Sequence, residues 1–136
     1  MGDRCYVTLV CRVQDKDKLL EVLGGGTPDT ENVSDDGKTV TLGISDCNYA
    51  LYDEMGEAAK KGLYFHGDHT AGGVYPAGMF VAYRREYLVV DALNTDNCYP
   101  VVAVLSDGKV YRRALDDVRT YYRRLRAVKK WMNHGS

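Results

Sequence analysis

Several things are missing from this 136-residue chain, and each absence removes a class of function. No apolar run approaches the roughly 20 residues that a membrane-crossing helix needs, so no membrane partner is expected. The opening residues, MGDRCY, mix an acid and a base and lead into no small-residue cleavage site, which is unlike a signal peptide. Tyr6 stands where a myristoylation pattern wants Ser or Thr. There is no CxxC pair to build a zinc knuckle, and neither GxGxxG nor GxxxxGK[ST] to cradle a phosphate. No repeat of solenoid period and no interdomain linker break the chain. With no secretion signal, the four cysteines, Cys5, Cys11, Cys47 and Cys98, read as reduced thiols of a cytoplasmic protein.

What is present suits one folded domain over residues 1–136. Hydrophobic residues make up 45% and charged residues 27%, a globular balance. Residues 5–13, CYVTLVCRV, alternate, with Cys5, Val7, Leu9, Cys11 and Val13 on one face. They predict a central strand with partly apolar faces. Residues 15–26 predict a short helix capped by Asp15 and stopped at Gly24. Residues 24–37 read as a polar loop, 38–45 as a second strand and 46–62 as a second helix. Asp53, Glu54 and Glu57 sit early in that helix and Lys60 and Lys61 late, as the helix dipole favours. Residues 79–93 predict two short strands around Arg84–Glu86. Residues 99–113 predict a hairpin turning at Asp107-Gly108. Residues 114–132 predict the clearest helix. The order implies an α+β fold: a mainly antiparallel sheet with two or three helices, one of them a C-terminal amphipathic helix.

Chemistry has three candidate locations. The first is FHGDHTAGGVYPAG, residues 65–78, where His66 and His69 stand three apart on what reads as a glycine-rich loop. A zinc ion would need further ligands; Asp68, Cys47, Cys98 and His134 are the available ones. The spacing is not the helical HExxH arrangement, so no metal and no cofactor are expected, and the glycines serve a turn. The second is a thiol site with Cys47 just before a helix start, where a thiol is acidified, and His66, His69 and Asp68 as companions. Trios of this kind arise by chance in a chain with 19 acids and three histidines. The third is charge. Residues 1–108 hold nine bases and seventeen acids; residues 109–136 hold nine bases and two acids. Such asymmetry speaks of partners or of self-association as a homodimer. On the last helix, Val118, Tyr121, Leu125, Val128 and Met132 form an apolar seam. Arg119, Arg123, Arg126 and Lys130 form a basic stripe on the other side that can track phosphates. The eleven tyrosines suit recognition: Tyr49 and Tyr52 share a face of the acidic helix, and Tyr75 lies in the glycine-rich segment.

The opening MGDRCYVTLVCR and the block NYALYDE…YFHGDHTAGGVYPAGMFVA resemble small uncharacterised proteins of phages and mobile elements, over about half the chain. The resemblance implies a phage accessory protein, a class that includes inhibitors of host nucleic-acid machinery such as anti-CRISPR proteins. It supplies no catalytic residue. The expectation is therefore a non-catalytic protein-binding module whose partner is another protein, a host nucleic-acid-binding complex. It would act through Asp53, Glu54, Glu57, Tyr49, Tyr52 and Tyr75, with carboxylates standing in for phosphates. The alternatives are a nucleic-acid-binding module using Arg119, Arg123, Arg126 and Lys130, and a small metal or thiol enzyme at Cys47, His66 and His69.

Overall fold

The computed structural model describes residues 4–94 and 98–134, excepting the side chains of Asn94 and His134. The architecture is α+β, with every strand pairing antiparallel. The strands are β1 (Arg4–Arg12), β2 (Thr30–Val33), β3 (Thr39–Asn48), β4 (Phe65–His69), β5 (Gly78–Tyr83), β6 (Glu86–Asn94) and β7 (Cys98–Pro100). They lie in the order β2-β3-β1-β4-β5-β6-β7. Helices α1 (Lys16–Val22) and α2 (Tyr52–Lys60) cover one face, and α3 (Arg112–His134) covers the other.

Alternation explains the two cores. Cys5, Val7, Leu9 and Cys11 of β1 face α1 and α2, joined there by Leu42, Phe65 and Phe80. Val10 faces α3, with Val81 and Val90. Arg12 also lies on the α3 side, its guanidinium 4.5 Å from the Trp131 ring, which lets a charged residue be buried there. The seam of α3 docks as its spacing predicts: Tyr121, Leu125, Val128 and Met132 are buried and Val118 packs beside them.

Several elements differ from the sequence reading. The expected loop at 24–37 contains β2, an edge strand whose four residues are all exposed and so carry no burial pattern to read. Asp15 occupies the cap position of α1, but its side chain makes no capping bond. Val13 leaves the strand and is 40% exposed. The expected helix over 46–62 is shorter, because β3 runs on to Asn48 and α2 starts only at Tyr52. Gly62, at φ 86°, stops it as expected.

The segment read as a glycine-rich loop begins with strand β4, which pairs with β1 and β5. Gly67 belongs to that interior strand because nothing larger fits. An added Cβ would overlap the Thr8 carbonyl oxygen and stand 2.8 Å from Leu9 Cα. The hairpin at Arg84–Arg85 forms, with both residues at positive φ (50° and 67°), the geometry of a type I′ turn without its usual glycine. The turn at Asp107-Gly108 also forms. The hairpin around it is short: Leu105 N–H donates to the Lys109 carbonyl oxygen at 2.8 Å, Tyr111 N–H donates to the Ala103 carbonyl oxygen at 2.9 Å, Val104 bridges Val110, and residues 103–113 are exposed.

Candidate functional site

The end of β3 builds one wall of a cavity. Tyr49, Ala50 and Leu51 all adopt left-handed backbone conformations, at φ 50°, 54° and 56°. None is glycine, and each such residue costs roughly 1–2 kcal/mol. Burial of Ala50 and packing of Leu51 against the α1/α2 core hold the turn. Its consequence is to project Tyr49 outward and to start α2 with Tyr52, Asp53 and Glu54 along the same rim.

The opposite wall comes from far along the chain. His69 ends β4, Tyr75 to Gly78 lead into β5, and Tyr87, Val89 and Asp91 lie at every second position of β6, so they share a face. Together these groups enclose about 530 Å³. Tyr49 and Tyr75 are 6.3 Å apart by ring centroids, Tyr52 and Tyr87 5.6 Å, and His69 and Tyr75 5.7 Å. Burial raises the Tyr87 phenol far above its ordinary value.

His69 is only 6% exposed. Its Nδ1 lies 2.8 Å from the Thr70 carbonyl oxygen; since a carbonyl only accepts, Nδ1 carries the proton. The ring's other nitrogen faces Gly78, where an added Cβ would stand 2.6 Å from Nε2. Gly78 is therefore needed for the ring to lie at the cavity wall. Among the described residues, the lining contains three carboxylates, Asp53, Glu54 and Asp91, and no lysine or arginine.

Five of the six residues expected to bind a partner thus meet at one cavity. Glu57 does not. It lines a neighbouring cavity of about 410 Å³ that also holds Lys60 and Arg85, and it pairs with Lys60 at 3.5 Å. Past Asp91 the same face of the sheet continues to Leu93 and its cross-strand neighbour Tyr99. These are 53% and 55% exposed, a bare apolar edge beside the acid rim.

The histidines do not meet. Residues three apart on a strand point to opposite faces, so His69 faces the α1/α2 side and His66 faces α3. Burial first, and Lys129 second, depress the His66 imidazole to about 4. Asp68 shares the His66 side, and burial raises its carboxyl. His134, considered as a further ligand, has its side chain outside the described residues. Among the described residues no group of three or more His, Cys, Asp or Glu is placed to hold a metal.

Cys47 does not precede the helix directly. It lies within β3, 3% exposed, with Sγ 3.4 Å from the Ile44 carbonyl oxygen. Burial pushes its thiol up to about 11, the reverse of activation. It faces away from His66 and Asp68. Cys5 stands directly across from it on β1, an adjacency that spacing alone could not show; both thiols are free.

The basic stripe is on the opposite side of the molecule. Arg119, Arg123, Arg126 and Lys130 are all exposed on α3. Arg123 donates to Thr120 Oγ1 at 3.1 Å, while the flanking Arg124 pairs with Glu86 at 2.7 Å. Among the described residues the four stripe residues form no ion pair. No described helix is long and apolar enough to cross a membrane.

Tyr87, Val89 and Asp91 were missing from the sequence-derived candidates, and His69 was named there for metal or thiol chemistry, not for partner binding. The alternation of Tyr87, Val89 and Asp91 was the one available signal. It marks a shared face without saying what covers it. No family model, curated protein or solved structure matches this chain.

Proposed function

We propose that the chain is a non-catalytic module that binds another protein through the face formed by α2, the tyrosine cavity and the β6–β7 edge. The observation that carries this reading is the convergence of Tyr49, Tyr52, Asp53, Glu54 and Tyr75 on one open cavity with an acid rim. Apolar residues lie bare beside it. Aromatic groups in pockets, with a polar rim, are the usual composition of interface hot spots. The acid rim favours a basic partner surface. Taken with the resemblance to phage accessory proteins, this points to an inhibitor in the cytoplasm of an infected cell. It would occupy a phosphate-binding surface of host nucleic-acid-processing defence machinery.

The test is capture of partners from nuclease-treated bacterial lysate by wild type and two variants. Asp53→Lys with Glu54→Lys reverses two of the three rim charges, leaving Asp91, and is expected to abolish capture. Loss of the dipole interactions costs about 0.3–1 kcal/mol each, so the melting temperature should fall by no more than about 8 °C. Glu57→Lys changes the same helix outside the main cavity and should retain capture. Undiminished capture by the double variant would refute the reading. A second reading runs through α3, favoured by its exposed stripe, which forms no ion pair among the described residues.

A further inference from the structure

We propose that the tyrosine cavity receives the guanidinium of an arginine side chain presented by the protein partner. This rests on the binding reading above and makes it specific. The volume, about 530 Å³, lies within the range of sites that enclose small ligands or anchoring side chains. The rim charge comes from Asp53, Glu54 and Asp91, with no lysine or arginine among the described lining residues. An anion is repelled there and a cation attracted.

The inner polar groups point the same way. His69 is more than nine-tenths buried and spends its Nδ1 proton on the Thr70 carbonyl oxygen. Its Nε2, at the Gly78 wall, is left as an acceptor. The cavity thus offers acceptors on several sides, and its occupant must bring several donors. Aromatic surface is supplied by Tyr49 and Tyr75, tilted 39° to each other, and by Tyr52 set edge-on to Tyr87.

Guanidinium answers all three demands. It is planar, it stacks on aromatic faces, and its five N–H donors can bridge separate acceptors and grip a carboxylate at two points. The lysine ammonium is a compact, strongly hydrated charge that uses the ring faces less well.

The experiment is an NMR titration of protein carrying 13C-labelled tyrosine rings. The probes are acetyl-Gly-Arg-Gly-amide, its citrulline counterpart and its lysine counterpart. The arginine peptide should shift the ring signals of Tyr49, Tyr52, Tyr75 and Tyr87 saturably. The neutral citrulline peptide should leave them unmoved, and the lysine peptide should bind about tenfold more weakly. Asp91→Asn and Glu54→Gln, which change charge but little volume, should each weaken arginine binding at least tenfold, with the remaining tyrosine signals unchanged. No saturable shift, equal shifts from citrulline, or equal affinity in both variants would overturn the proposal.

Arginine peptide shifts that appear only as the protein self-associates would assign the cavity to a second copy of this chain, and overturn the partner as stated. The two readings fail separately. If rim reversal abolishes capture but no arginine binds, the guanidinium proposal falls and the module reading stands. If arginine binds but no protein is captured, the module reading falls.

Discussion

Acid should weaken this fold through one histidine. His66 projects from β4 toward α3, where burial and the nearby Lys129 hold its pKa at about 4, against 6.5 for an ordinary imidazole. Between those values the unfolded chain binds a proton that the folded protein refuses. Stability from this group is complete above pH 6.5 and is lost as pH falls toward 4, by up to about 1.4 kcal/mol per pH unit. From pH 7.5 to 4.5 the loss integrates to about 2.5 kcal/mol, a large part of the 5–15 kcal/mol typical of a domain. Asp68, on the same side of the sheet, opposes it in part. Its raised carboxyl favours the folded state as pH drops through its folded value.

The assay is urea unfolding at pH 7.5, 6.5, 5.5 and 4.5 for wild type and His66→Gln. Every other titrating group is common to the two proteins, so the difference between them isolates the histidine. At pH 4.5 the stability of wild type relative to the variant should be lower by about 2.5 kcal/mol than at pH 7.5. Parallel pH profiles would refute the reasoning, as would an NMR titration midpoint for His66 near 6.5.

Two further outcomes follow from the surface. Replacing Arg119, Arg123, Arg126 and Lys130 together by glutamine should leave the fold and protein capture intact, because the buried seam of α3 is untouched. Tight nucleic-acid binding near physiological salt, with a log–log salt slope of about −3.6 lost in that variant, would move the function to α3. In the β5–β6 turn, Arg84→Asn with Arg85→Gly should raise stability by about 1–2 kcal/mol in urea unfolding, since both positions have positive φ. The lost contacts are exposed: Arg85 to the Lys60 carbonyl at 3.3 Å and Arg84 over Tyr83 at 5.1 Å. Lower stability would show that those contacts outweigh the backbone strain.

Much of the candidate site was legible as a set of residue types. Tyr49, Tyr52, Asp53 and Glu54 lie within six positions of one another, so their joint appearance is local information. The same stretch was misread as one helix from residue 46. Its composition suits a helix, and nothing in the types Tyr, Ala and Leu announces three left-handed residues in succession. The glycines at 67 and 78 were equally visible and equally ambiguous. Glycine marks both a loop and a crowded strand, and only the neighbours at Thr8 and His69 distinguish the two.

By itself the sequence determined the period of each element: two along β1, β3, β5 and β6, and 3.6 along α3. It therefore determined which side chains share a face. It also determined the separation of charge between the first 108 residues and the last 28, which no fold could remove. Tertiary structure decided what each face meets. Setting β4 between β1 and β5 turned His66 and His69 to opposite sides and ended their common chemistry. Bringing β6 under α2 carried Tyr87 and Asp91 to Tyr52 and Asp53, more than 30 positions away in sequence. The physical reason is that alternation is a property of one strand, whereas a cavity is made by the strands and helices that pack around it. Their order depends on pairing energies summed over the whole sheet.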